Sequence, residues 1–377
     1  MNYLSKIVLR CVLISSVVGV HLSGFSSTVS AQGWPSFRGN PDLTGVASGA
    51  LPDSLSVLWS FEIEDPIEST ATVDDKYVYF GGLDGKLYAL DWETGASVWT
   101  LKLEDEVKSS PTLSDSLVLF GDEAGTFHAV HRDTGEELWS FLTEGGIQSS
   151  ANVLGDFVVF GSYDNNIYCL SKSTGELVWK VATDGYVHAT PAVRNGRAFV
   201  AGCDGFLRGV NVTDGALDVS VNVADYVASS PGFLGNVAYL GTFGNQVLAI
   251  DVEEMTILWH YESPDRQFPF YGSPAVTADG IYIGGRDKIV HALEPLTGER
   301  LWTYAAGARV DSSPVVVGNR LYFGTQGGDL VVLNRLTGEK ISAFEGGGSF
   351  TASPAVAHNR LFIGSDDGVF YCFGEKE

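Results

Sequence analysis

A tryptophan returns every forty residues. Trp99, Trp139 and Trp179 are spaced by 40, Trp259 lies two such steps further, and Trp302 follows after 43. Each closes the same motif: "ALDWETGASVW" at Ala89–Trp99, then "AVHRDTGEELW", "CLSKSTGELVW", "AIDVEEMTILW" and "ALEPLTGERLW". Two copies are degenerate, "GVNVTDGALDV" at Gly209–Val219 and "VLNRLTGEKIS" at Val332–Ser342. A fixed period of this length restricts the chain to a solenoid or a propeller, built from units that cannot bury their apolar faces alone.

A second mark precedes each motif, in eight copies: "IEST", "VKSSP", "IQSSA", "VHATP", "VASSP", "FYGSP", "VDSSP" and "FTASP". Between the marks run alternating apolar segments such as "YVYFGGLDGKLYAL", rich in aromatic and β-branched residues, which predict strands. Their Asp-Gly and Gly-Gly pairs predict tight hairpins. Four short antiparallel strands, A to D, in about forty residues make a propeller blade. Strand A is expected to begin at the mark itself. The eighth copy stops after strand C at "FYCFG", and the N-terminal "SVLWSF" supplies a lone strand D, with Trp59 eight residues before Ile67 as Trp99 is before Val107. Val57–Phe61 should therefore pair with Val369–Phe373 and close the ring. The expected fold is all-β, an eight-bladed propeller. Thr94-Gly95 turns strand C into strand D, glycine supplying the positive φ. Trp59, Trp99, Trp139, Trp179, Trp259 and Trp302 are expected to wedge between neighbouring blades.

The first 31 residues read as a cleaved secretory signal: Lys6 and Arg10, then "CVLISSVVGV", then Val29-Ser30-Ala31 before the cut. Residues 32–377 form the single propeller domain. No later stretch is long and apolar enough for a membrane helix. The expectation is a soluble monomer, periplasmic or secreted. The net charge of −23 argues against nucleic acid and anionic membrane as partners and favours cationic ligands or basic protein surfaces. Cys169, Cys203 and Cys372 remain after the signal, and an odd number cannot all pair. Cys169 and Cys372 share the repeat position of Ala89 in separate copies and read as buried small residues. No zinc spacing or haem-attachment motif occurs.

The motif Ala-x-Asp-x-x-Thr-Gly-x-x-x-Trp resembles the tryptophan-docking motif of the pyrroloquinoline-quinone (PQQ) repeat propellers, and "WPSFRGNPDLTG" at Trp34–Gly45 resembles the lead-in of their secreted members. The resemblance covers nearly the whole chain after the signal. It implies the fold but not one function, because the family holds two branches. One contains quinoprotein alcohol and glucose dehydrogenases, which hold PQQ and usually Ca²⁺ over the propeller axis. The other includes the propeller component of the bacterial outer-membrane β-barrel assembly machinery, a protein-binding scaffold.

With the strands alternating in direction, D–A links and B–C turns share one face of the disc, and A–B and C–D turns share the other. The first face is acidic: Glu64, Asp65, Glu104, Asp105, Glu106, Glu144, Asp184, Asp225 and Asp265 in links, and Asp84, Asp122, Glu123, Asp164, Asp204, Asp287, Asp366 and Asp367 in turns, only partly offset by Lys108, Arg266, Arg286, Lys288 and Arg309. For the turn acids, ordinary turn chemistry competes with a ligand role. One column varies while its neighbours stay nearly fixed: Glu68, Lys108, Gln148, His188, Ala228, Tyr271, Asp311 and Thr351. It rings the mouth of the central channel, either free to drift or tailored as a polar ring. The lengthened link "ESPDRQFPFYG" at Glu262–Gly272 adds Phe268 as a contact residue, whereas Phe270 reads as core. His128, His131, His188, His291 and His358 are scattered and point to surface or core roles. A quinoprotein needs a floor for the quinone, cations for its carboxylates, an oxygen cage for Ca²⁺ and a carboxylate base. In that branch these lie on long insertions, while here every blade is near minimal length. The expected function is non-enzymatic, with no catalytic residues, metal or cofactor: a scaffold binding a protein or other extracytoplasmic ligand on its acidic face, in cell-envelope assembly. The alternative is a PQQ- and Ca²⁺-dependent dehydrogenase of alcohols or sugars.

Overall fold

A computed structural model describes residues 33–264 and 266–376. The proposed signal segment, with Cys11, and the link residue Asp265 lie outside the described residues. Eight sheets are arranged in sequence order: blade 1 spans 72–102, blade 2 112–142, blade 3 152–182, blade 4 192–222, blade 5 232–262, blade 6 275–305 and blade 7 315–345. Blade 8 spans 355–374 and takes its outer strand, Ser56–Glu62, from the other end of the chain. The closing register runs Val57↔Phe373 to Glu62↔Val369, as the sequence predicts. Strand A starts later than expected. In blade 2 it is Thr112–Ser114, because the preceding "VKSSP" spends its polar groups elsewhere.

Those groups explain why the mark is nearly invariant. The fourth residue of each mark, Ser or Thr in all eight, accepts the backbone N–H of its counterpart one blade earlier, from Thr70→Ser110 (3.0 Å) through to Ser313→Ser353 (2.9 Å), and Ser353→Thr70 (3.3 Å) closes the circle. A circle of hydrogen bonds that returns to its first member requires the innermost segments of all eight blades to surround one axis. The first serine of a mark bonds the glycine ending strand B of its own blade, as Ser109 Oγ does with Gly121 O (2.7 Å) and N (2.9 Å). That glycine carries the next blade's apolar mark residue: a Cβ on Gly121 would stand 2.2 Å from Ile147.

The tryptophans do wedge between blades, and their acceptor is the next copy of their own motif. Each indole donates to the next C–D turn: Trp59 to Trp92 O (3.2 Å), Trp99 to Arg132 O (2.9 Å), Trp139 to Lys172 O (3.0 Å), Trp179 to Val212 O (2.8 Å), Trp259 to Pro295 O (2.9 Å) and Trp302 to Arg335 O (3.0 Å). Each ring lies on that turn's glycine, so the Thr-Gly glycine has two duties. Gly175 has φ +74°, and a Cβ there would stand 2.5 Å from the Trp139 ring. The degenerate copies follow from this pairing. Blade 4 has Val219 at the tryptophan position, and blade 5 has Met255 (φ 53°) at the glycine position that would receive the indole. Blade 7 has Ser342, and the two ends of the chain meet in blade 8 where its C–D turn would be.

The lead-in occupies the channel. Its backbone runs along the axis-facing A strands and bonds one blade after another: Trp34 with Val73 (2.9 Å both ways), Pro35 O with Leu113 N (2.7 Å), Pro41 O with Val193 N (2.8 Å), Asp42 O with Phe233 N (3.0 Å), Thr44 O with Val276 N (2.8 Å) and Gly45 O with Val316 N (2.9 Å). Asn152 in blade 3 donates to Pro41 O at 2.9 Å. Val46–Ala47 then pairs in parallel with blade 7. Innermost strands carry unpaired N–H groups that a central pore would leave to water; here a peptide satisfies them. At its centre Arg38 is 1% exposed and donates to Ser313 O (3.1 Å), Pro274 O (2.9 Å) and Pro314 O (2.5 Å). Burial without a carboxylate pushes its guanidinium down to about 9. Gly45 is obligatory beside it, since a Cβ would stand 1.9 Å from the guanidinium. The lead-in therefore closes the axis at the level of the A strands, and the expected channel is a cup on the D–A side.

Candidate functional site

The varied column sits at the rim of this cup, one residue per blade, two residues before the hydroxyl circle. Opposite it lies a second column that the sequence reading did not isolate: Leu83, Glu123, Tyr163, Cys203, Phe243, Arg286, Gln326 and Asp366, the first residues of the B–C turns. Each is pinned through its backbone N–H to the preceding D–A link, as in Glu123 to Glu106 O (2.9 Å), Tyr163 to Gly146 O (3.0 Å) and Asp366 to Ser349 O (2.8 Å). The two columns interleave around the mouth.

Their side chains form joined groups rather than a drifting surface. Tyr163 Oη lies 2.8 Å from Gln148 Oε1 and 2.7 Å from His188 Nδ1, and His188 Nε2 lies 3.3 Å from Tyr271 Oη. Tyr163 donating to Gln148 leaves its oxygen for His188 Nδ1–H, and Nε2 then accepts from Tyr271. This is a neutral imidazole, and burial pushes it down to about 4. The reach from His188 to Tyr271 skips blade 5, where the column residue is Ala228. Arg286 grips Asp311 with two bonds (Nε–Oδ1 2.9 Å, Nη2–Oδ2 3.0 Å) while lying 4.4 Å above the Tyr271 ring. Gln326 donates to Thr351 (2.8 Å), which donates to Asp366 Oδ2 (2.9 Å). Lys108 pairs with Glu106 (2.9 Å) and Glu123 (3.3 Å). Burial alone would lower its ammonium, and these carboxylates raise it instead.

Two carboxylates are left over. Glu68 makes no hydrogen bond or ion pair with a described residue; burial raises its pKa, and nearby Lys108 only partly opposes the shift. Asp366 keeps Oδ1 unpartnered and is likewise raised by burial. The mouth also carries an aromatic group. Tyr163 and Tyr186 stack at 5.0 Å, and Phe243 meets Tyr271 edge-on at 6.1 Å. Tyr186, Tyr226 and Phe268 are 53%, 61% and 47% exposed. Phe270 is fully buried, as expected for core.

Most acids of the B–C turns are consumed locally. Asp84 accepts from Tyr88, Asp164 from Tyr168 (2.6 Å), Asp204 from Arg208, and Asp287 lies 2.9 Å from His291 Nε2. Asp122 and Glu137 hold His128. Where the turn has Gly244 or Gly327, the corresponding strand C residue is Leu248 or Val331. His358 stacks on Trp92 at 4.2 Å across the seam between blades 8 and 1. Cys169, Cys203 and Cys372 are free thiols.

The mouth does not fit PQQ with Ca²⁺. Its nearest cations, Lys108 and Arg286, already hold carboxylates and are not free for those of the quinone. Among the described residues, no three His, Cys, Asp or Glu side chains are grouped to hold a metal. No described helix is long and apolar enough to cross a membrane.

The chain matches a protein family described as outer membrane protein assembly factor BamB over residues 50–154, 123–220 and 211–377. Among solved structures it is similar to BamB from Moraxella catarrhalis: TM-score 0.73, 21% identity, covering 86% of this chain and 98% of that one. It is also similar to quinohemoprotein alcohol dehydrogenase from Comamonas testosteroni: TM-score 0.78, 14% identity, covering 93% and 82%. The computationally designed Ika8 protein gives a TM-score of 0.73 at 17% identity, covering 90% and 100%. At these identities the solved structures show the shared fold. No curated protein matches the chain.

Proposed function

We propose, from the premise that the chain belongs to the outer membrane protein assembly factor BamB family, that it is a non-enzymatic scaffold of the cell envelope. It binds a protein partner at the mouth of its D–A face and uses no quinone. The observation that carries this reading is the pairing state of the mouth. Lys108 and Arg286 are both paired with carboxylates, Glu68 has no ion pair, and the axis beneath is closed by the lead-in. A quinoprotein would need free cations for the quinone's carboxylates, and the two of the mouth are taken. A rigid cup with exposed aromatics and unspent negative charge needs only a complementary surface.

Asp311 changes role on this reading. It holds Arg286 over Tyr271 and positions the cup, so the residues expected to meet the partner are Glu68, Tyr186, Tyr226 and Phe268. Two experiments test the proposal. Addition of PQQ and Ca²⁺ should give no alcohol- or glucose-dependent dye reduction; turnover would support the dehydrogenase instead. A photo-crosslinking amino acid at position 268 should trap envelope protein in the source organism, while the same residue at 336, on the C–D face, should not. Equal trapping at both would remove the D–A face from consideration.

A further inference from the structure

The geometry points to the chemistry of the partner: we infer that the mouth receives an extended peptide segment, a lysine or arginine side chain descending to Glu68 while a neighbouring aromatic or aliphatic side chain rests on Tyr186, Tyr226 and Phe268. This rests on the scaffold reading and goes further by naming what the partner must present.

Three observations converge. Glu68 lies two residues above the hydroxyl circle, half-buried and without an ion pair, so a cationic ligand that reaches into the cup would offset its charge at neutral pH. The neighbouring ammonium of Lys108 is held by Glu106 and Glu123 and cannot serve. A neutral hydroxyl would leave the charge uncompensated, whereas an ammonium or guanidinium supplies a charge-assisted bond to Glu68, with the carboxylate of Asp366 adding to the negative field around it. Second, Arg38 and the lead-in seal the axis below, so entry is end-on from the D–A face. A long side chain reaches Glu68 while its backbone stays at the rim. Third, the rim offers exposed rings in one arc, from Tyr186 to Phe268, and exposed acids in the other, such as Glu104, Asp105 and Glu144. A segment with alternating basic and aromatic residues matches both arcs, because successive side chains of an extended strand point to opposite sides.

The test uses fluorescence anisotropy on the propeller with three labelled dodecapeptides in Gly-Ser flanks: one with a Lys-Trp-Lys-Trp centre, one with Glu-Trp-Glu-Trp and one with Lys-Ala-Lys-Ala. The first is expected to bind at least about tenfold tighter than either control, and more weakly as salt rises from about 50 to 300 mM. Glu68→Gln and the pair Tyr186→Ala, Tyr226→Ala should each weaken it about fivefold or more. Glu93→Gln, on the C–D face, should not. All variants are checked for unchanged melting. Equal binding of the Lys-Ala and Lys-Trp peptides, or indifference to both sets of substitutions, overturns the inference. So does binding of a hexasaccharide probe such as chitohexaose in place of the peptides with loss on Tyr186→Ala, which would also overturn the protein-scaffold reading. If no peptide binds while position 268 still traps envelope protein, only the partner chemistry fails.

Discussion

The tryptophan belt and the mouth are both rings of eight, yet they use the repeat in opposite ways. In the belt one contact is copied: an indole on a glycine, with the same donor and the same kind of carbonyl, six times. Its exceptions come as matched losses, Val219 with Met255. In the mouth each neighbouring pair is different: tyrosine with histidine, arginine with aspartate, glutamine with threonine. Variation alone suggested freedom, but free positions do not choose complementary neighbours. In a repeat protein, sameness marks packing, and variety that still pairs marks a shaped site.

The comparison can be broken from the belt side first. Gly175→Val forces a β-branched residue into φ +74° and into the Trp139 ring, and should cost roughly 3 kcal/mol of stability, read by denaturant unfolding. Arg38→Met leaves three buried carbonyls without donors and should cost about 2–3 kcal/mol. Faster hydrogen exchange at Leu113, Val193 and Val316 would show that the seal has loosened. Val219→Trp alone should destabilise, because Met255 occupies the docking place. With Met255→Gly the pair should couple favourably by about 1–2 kcal/mol in a double-mutant cycle; additive effects would mean that the two losses are unrelated.

The mouth should respond less in stability and more to pH. His188 is held neutral, with a folded pKa of about 4 against an ordinary value near 6.5. The unfolded chain therefore binds a proton that the folded chain refuses. Stability is full above about pH 6.5 and falls toward pH 4, by roughly 1–2 kcal/mol after allowance for partial exposure. His188→Gln should flatten that limb. Glu68 has the opposite sign: burial raises its pKa, so its charge costs stability at neutral pH and the cost fades on acidification. Glu68→Gln should raise stability by about a few tenths of a kcal/mol while weakening ligand binding.

The same contrast explains what was legible in the sequence. Closure by Val57–Phe61 could be read because strand D recurs at a fixed offset from the mark. The turn acids could be read only as ambiguous, and their donors six or four residues on, His128 after Asp122 and Tyr168 after Asp164, resolve them. The lead-in was opaque. "WPSFRGNPDLTG" has no period, and it works mainly through backbone carbonyls, which carry no side-chain signature. Its one clue was Arg38 followed by Gly39 and Gly45, neither of which tolerates a Cβ. The second mouth column was hidden because B–C turns vary for two reasons at once, turn geometry and site chemistry.

The central claim is that unspent charge in the cup serves a partner. The most direct measurement compares Glu68→Gln with wild type in two assays on the same samples, thermal melting at pH 7 and anisotropy with the Lys-Trp peptide. A melting temperature equal or higher together with binding at least about fivefold weaker is the predicted result. Binding unchanged, or a fall in melting temperature, would place Glu68 among the structural residues and contradict the claim.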